Sequence, residues 1–179
     1  MTTVDSRRNW ALIDTLLEDE TDSWRIQMLS QLKEHVQAEC GGDLDALMDT
    51  LIDDPQFHNW SGNNDIGPKG YDDLRSFYEN LIASGSNRFE YAIERIIIGD
   101  DTLVTEGEIK VPFAGTMLKA MGREDVEEDA FYATTGRTVT FWPFSTDGRI
   151  IGEDIYSMTS DFSDAIAVEL KPYTYGENS

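Results

Sequence analysis

The stretch GRTVTFWPFSTDGRIIGEDIYS, residues 136–157, decides how the rest of the chain is read. Arg137 to Phe144 and Arg149 to Met158 are strand-like runs on either side of Asp147-Gly148. Asp-Gly between two such runs is a strong short-range signal for a hairpin, because it tolerates the positive φ of a tight turn. Upstream, Phe89 to Ile98 and Thr102 to Phe113 flank Gly99-Asp100-Asp101 in the same way. The two hairpins predict a four-stranded antiparallel meander.

Everything before the meander reads as helix apart from one short strand. Asn9 to Leu17 forms a short helix, with Leu12, Ile13, Leu16 and Leu17 as its apolar stripe. From Trp24 the positions Trp24, Met28, Leu32 and Val36 recur every four residues, so one helix face is buried until Gly41-Gly42 ends it. Asp43 caps a helix over Leu44 to Leu51, and Asp54-Pro55 stops it. Gln56 to Trp60 reads as a strand and Ser61 to Asp65 as a turn. After Pro68, the positions Tyr71, Leu74, Phe77, Tyr78, Leu81 and Ile82 trace an amphipathic helix ended by Gly85. Helices, a strand, a long helix and then a meander give an α+β fold rather than a parallel βαβ layout. Ala114 to Thr135 interrupts the meander with an irregular, acidic stretch of the kind used for lids, binding loops or interfaces.

A chain of 179 residues without a linker fits one domain, spanning 1–179. Its core is expected at about 24–158, with a helical arm over 1–23 and a tail over 159–179. Against 14 Lys and Arg stand 35 Asp and Glu, a net charge of -21 that repels nucleic acid and anionic membranes. This acidity reads as solubility rather than as steering of a cationic substrate. A single cysteine, Cys40, permits no internal disulfide. No secretory signal or membrane-spanning apolar run is evident, so a cytoplasmic location is expected.

The helix-helix-strand-helix-meander order, GPKGYDDLRSFYENL at 67–81 and the final hairpin together resemble the SnoaL-like branch of the nuclear transport factor 2-like superfamily, over roughly residues 24–158. That resemblance implies a cone-shaped, strongly bent antiparallel sheet wrapped around the N-terminal helices and enclosing an apolar pocket. It also implies a homodimer formed through the sheet. The superfamily includes isomerases, dehydratases, epoxide hydrolases, polyketide cyclases and non-catalytic binding domains, so the fold alone does not select the chemistry.

Period two then assigns faces on the last strand. Ile150, Gly152, Asp154, Tyr156 and Met158 share one face, and Ile151, Glu153, Ile155 and Ser157 the other. With the first face inward, Asp154 is a desolvated carboxylate suited to act as general base. The alternative sets Asp154 outward, with Glu153 or neither inside. His58 shares a face with Trp60 and is a candidate donor or partner for Asp154, or else a core or rim histidine. Tyr78 and Tyr156 are candidate oxyanion-stabilising donors, while Trp60, Trp142, His35 and Phe77 are candidate pocket residues.

The two histidines and one cysteine offer no zinc spacing, no calcium loop is present, and neither metal nor cofactor is expected. Among the relatives, limonene-type epoxide hydrolases pair carboxylates with an arginine, which the last strand lacks. Scytalone-type dehydratases need two cavity histidines, here both His35 and His58. Cofactor-independent isomerisation or cyclisation of a small apolar carbonyl or ring compound, needing one carboxylate and a donor, asks least of these residues. The alternative is a non-catalytic dimer that binds a small molecule or a protein chain.

Overall fold

In the computed structural model, which describes residues 2–61 and 63–177, the order along the chain is β1 (Thr2–Val4), α1 (Ala11–Asp19), α2 (Ser23–Gly41), α3 (Leu44–Asp49), β2 (His58–Ser61), β3 (Asn64–Asp65), α4 (Tyr71–Ser84), β4 (Glu90–Ile98), β5 (Thr102–Ala114), α5 (Gly115–Ala120), β6 (Phe131–Pro143), β7 (Asp154–Thr159) and β8 (Ile166–Leu170). The fold is α+β, with the helices gathered against one concave face of an eight-stranded sheet. No helix among the described residues is long and apolar enough to cross a membrane.

The helices form where their caps and apolar faces predict. Asp22 accepts the free amides of Trp24 and Arg25 at the start of α2, and Gly42 closes it at φ 74°. Met28, Leu29, Leu32 and Val36 of α2 are buried with Leu47 of α3 and Leu74 and Tyr78 of α4. Ile150 and Trp142 complete this core from the sheet side. Cys40 lies inside it, accepting a hydrogen bond from Asn9 Nδ2 at 3.1 Å, and burial pushes its thiol well up.

Strand β6 organises the sheet. Along one edge it pairs with β5 from Phe131 to Pro143. Its other edge is divided, with Phe131 to Ala133 bonded to β8 and Gly136 to Phe141 bonded to β7. A sheet that forks in this way cannot stay flat, and it curls around the helices. The stretch expected to be irregular, 114–135, therefore contains α5 and the first residues of β6.

The arm and tail are built into the fold. β1 pairs in parallel with β8, Thr2 opposite Val168 and Val4 opposite Leu170. Trp10 and Ile13 are buried in the main core, against which Tyr173 and Tyr175 also rest. The buried Glu90 carboxylate fastens the arm to the sheet, accepting from Asp5 N at 2.8 Å, Arg8 at 2.7 Å and Lys110 at 2.8 Å.

The final hairpin carries the largest departure from simple alternation. β6 and β7 keep one register from Gly136 opposite Thr159 to Phe141 opposite Asp154, but the next pairing is Phe144 with Ile150. Three steps separate Phe141 from Phe144, while four separate Ile150 from Asp154. One extra residue is thus absorbed between Ile150 and Asp154, as in a β-bulge, and side chains beyond it exchange faces. Gly152 makes the detour sterically feasible, since a Cβ there would sit 1.8 Å from the carbonyl oxygen of Gln56. Gly152→Ala is expected to lower stability by about 2–4 kcal/mol, because the clash is with backbone that no rotamer change relieves. A urea-unfolding midpoint equal to that of wild type would show that the segment has room to spare.

Candidate active site

Between the concave face of the sheet and helices α2 and α4 lies a cavity of about 790 Å³. Val36, Phe57, Leu81, Phe89, Ile109 and Val111 supply apolar wall. The cavity-lining residues Ile66, Phe77 and Met158 are exposed, which marks where it opens to solvent.

One end of the cavity is polar. Helix α2 presents His35 and Glu39 one turn apart on the same face. Helix α4 brings Tyr78, and the bulged segment before β7 brings Glu153, whose carbonyl is fixed by the His58 amide at 2.6 Å. His35 Nε2, Glu153 Oε1 and the Tyr78 hydroxyl stand at the corners of a triangle with sides of 3.2, 3.3 and 3.3 Å. The ring edges of Tyr78 and Trp142 hold the imidazole, at centroid distances of 6.3 and 5.8 Å. Trp142 contributes only its ring, since its Nε1 donates to Thr105 Oγ1 at 2.9 Å.

The partners settle where several protons sit. Thr50 Oγ1 donates its proton to the carbonyl of Leu47 at 2.6 Å, so it can only accept from His35 Nδ1 at 2.7 Å. His35 therefore carries a proton on Nδ1 and directs Nε2 at Glu153 and Tyr78. Burial, then the carboxylates of Glu153 and Glu39, push the Tyr78 phenol well above its ordinary range and keep it an O–H donor. It donates to Glu153 Oε1. Such an arrangement can accept a proton at a carboxylate and offer one from a phenol within a single apolar enclosure.

Glu39 is different. It lines the same cavity and is only 8% exposed, yet among the described residues its carboxyl has neither a hydrogen bond nor an ion pair. Desolvation, and secondarily the charge of Glu153, raise it well above the usual carboxylate range. Among the described residues no group of His, Cys, Asp and Glu is arranged to hold a metal ion.

The residues expected at the site divide into two sets. Tyr78, Trp142, Phe77 and Trp60 line the cavity, and His35 stands directly behind it against Glu153. Asp154, His58 and Tyr156 do not line it, which corrects the face assignment of the last strand. Trp142, Thr140 and Thr138 line the cavity from β6, and the β6–β7 register sets Ile155 and Ser157 opposite the latter two. The extra residue before β7 therefore sends Glu153 inward and turns Asp154 and Tyr156 to the convex side. There His58 Nε2 lies 4.0 Å from Asp154, and its Nδ1 bonds Asp65 at 2.7 Å. Trp60 stacks between His58 and Tyr156 at the rim, with centroid distances of 6.2 and 6.5 Å. Glu153 entered only in the alternative face assignment, and Glu39 was not anticipated. The signals for them are Gly152 inside a strand-like run and the four-residue spacing of Glu39 from His35.

Residues 32–153 match the family described as the SnoaL-like domain. The chain belongs to this SnoaL-like family. Among solved structures it is similar to a protein named as a SnoaL-like polyketide cyclase from Shewanella putrefaciens CN-32, with a TM-score of 0.60 at 13% identity over 82% of this chain and 86% of that one. An NTF2-like protein from Anabaena variabilis gives 0.57 at 16% identity, covering 79% and 95%. The epoxide hydrolase/cyclase-like enzyme SalBIII, described in pyran ring formation of the polyether salinomycin, gives 0.55 at 9% identity, covering 78% and 95%. At these identities the likeness is one of fold. Among curated protein sequences none matches at a significant level.

The raised Glu39 has a signed consequence for stability. The folded chain keeps a proton that an unfolded Glu has lost, so stability falls as pH rises from the ordinary Glu range of about 4.3 towards the raised folded value. The steepest fall for one such group is about 1.4 kcal/mol per pH unit. Glu39→Gln removes this dependence, so the variant should gain on wild type between pH 4 and pH 8 in urea-unfolding midpoints. Parallel curves for the two proteins would show that Glu39 titrates normally.

Proposed function

We propose that the protein carries out cofactor-independent acid–base chemistry, an isomerisation, cyclisation or dehydration, on a small apolar carbonyl or ring compound. The observation that carries this reading is the convergence of Glu153, His35 and Tyr78 at one end of a 790 Å³, largely apolar cavity. The fold likeness to proteins named as cyclases agrees with it.

In the proposed scheme Glu153 removes a proton from a carbon or hydroxyl of the ligand. On ligand binding the single Tyr78 O–H turns from Glu153 to the oxygen on which charge develops, and its phenol is not lost to ionisation because burial holds it neutral. His35, which donates through Nδ1 to Thr50, holds the Glu153 carboxylate in place when its Nε2 also carries a proton. The proton taken by Glu153 returns at a second ligand position, or leaves with water in a dehydration. Asp154 and His58 take no part.

The test is a turnover screen of enolisable ketones and cyclisable polyketides, followed by variants. Glu153→Gln should reduce kcat/KM by about 10²–10⁴-fold, the usual contribution of a positioned general base. Asp154→Asn and His58→Ala should stay within about threefold of wild type. An unimpaired Glu153→Gln enzyme would end the scheme, and a chain that binds ligands without converting any would favour the non-catalytic reading.

The convex face supports a second proposal, that two copies pair through the sheet. Ile97 is 55% exposed, Phe141 38% and Tyr156 50%, the register across β4, β5, β6 and β7 sets these three on one side of the sheet, and Met158, 79% exposed, stands at the edge where this side meets the cavity mouth. Arg137, bound to Glu94 at 2.9 Å and to Glu106, edges this apolar area with satisfied charges. A Tyr156→Glu/Met158→Glu variant should sediment as a monomer where the wild type sediments as a dimer. Wild-type protein that is monomeric at micromolar concentration would remove this proposal.

A further inference from the structure

We propose that the cavity receives an organic cation, an apolar ring compound bearing one protonated amine, with its ammonium seated on Glu39. This names the charge of the ligand for the site proposed above, and rests on the acid–base reading only for the claim that the bound amine is also converted.

The inference comes from charge accounting among buried acidic groups. Glu90 is buried and receives Arg8 and Lys110. Glu153 accepts from Tyr78 and has His35 Nε2 beside it at 3.2 Å. Glu39 is as deeply buried, borders the open cavity and receives nothing from any described residue. No lysine or arginine is among the residues that line the cavity. With no partner among the described residues, Glu39 can gain one only from the cavity, and a cation is the partner that would let it ionise there.

The same balance excludes other ligands. A carboxylate or phosphate entering the cavity would meet Glu39 and Glu153 with no basic side chain to neutralise it, in surroundings that screen charge poorly. A neutral ring compound fits the walls but leaves Glu39 unpaired. A protonated amine fits the walls, pairs with Glu39, and finds aromatic rings in Trp142, Tyr91 and Phe89, which suit an ammonium group. The titratable groups that face the cavity are Glu39, Glu153, Tyr78 and Tyr91, with His35 behind Glu153. When an ammonium arrives, Glu39 gives up its proton to solvent and becomes the carboxylate of a buried ion pair, so no net charge is added to the cavity.

Calorimetric titration of the full chain with naphthylmethylamine, naphthylmethanol and naphthoate tests the proposal, since the three share a ring and differ in charge. The amine should bind about tenfold or more tightly than the alcohol, as expected for a charge-assisted hydrogen bond, and naphthoate should not bind. Glu39→Gln should bring the amine down to the affinity of the alcohol and leave the alcohol within about twofold. Equal binding of amine and alcohol by wild-type protein, binding of none of the three, or an amine affinity unchanged in Glu39→Gln would overturn it. The turnover screen of the wild-type protein separates the two claims. An amine preference in wild-type protein that converts none of the screened compounds leaves the cation site standing and removes the acid–base reading. Turnover of neutral compounds with no amine preference does the reverse.

Discussion

The structure depends on a single strand having two different neighbours along one edge. β6 is bonded to β5 over its entire length, but its opposite edge goes first to β8 and then to β7. The two neighbours diverge because each follows its own twist, and the sheet is forced into a concave shell. The helices have only one way to bury their apolar stripes, which is inside that shell. Side chains from β6 and its partners then meet those of α2 and α4 across a space that neither layer fills. The cavity is thus a geometric residue of the fork.

At that end, three titratable side chains from different elements are held by unequal surroundings. Among the described residues Glu153 has two neighbours within hydrogen-bonding distance and Glu39 has none, although the two carboxyls line one enclosure. Unequal solvation of neighbouring acids is how a protein obtains an acceptor and a proton-bearing acid at the same pH. The convex side shows the contrast. Asp65 there accepts from Lys69 at 2.8 Å, and this with further hydrogen bonds from Gly67, His58 and Asn59 drives its carboxyl far below the ordinary range. An exposed, well-paired acid of this kind is held firmly ionised. His58 and Asp154 therefore belong to a solvated surface, and only the interior has the low polarity in which proton affinity is tuned over a wide range.

Most of the fold was legible because its signals are local. The cap at Asp43, the stops at Gly42 and Gly85 and the four-residue periodicity of α2 translate directly into elements. The hairpin at Asp147-Gly148 does so as well, with Gly148 at φ 88°. What escaped depends on distant pairing. β1 and β8 are short, and neither alternates strongly enough to announce a strand until the other is beside it. The site was half legible for one reason. Alternation assigns faces correctly only within an unbroken register, and one additional residue before Asp154 exchanged the roles of Glu153 and Asp154. Glu39 was hidden differently, since its four-residue spacing from His35 puts it on the same helix face without telling whether that face meets a cavity or solvent.

The pairing of β1 with β8 also orders events in time. Thr2 and Val168 are separated by nearly the entire chain, and such contacts form late because the intervening loop must first be closed. During synthesis at about 5–20 residues per second, Val4 waits on the order of ten seconds for the strand that will cover it. The remaining strands can assemble meanwhile, since their pairings require nothing beyond Thr159. The newborn chain therefore passes through a state in which the cavity is already formed while one sheet edge is bare. β8 acts as the latch that removes this edge from contact with other nascent chains.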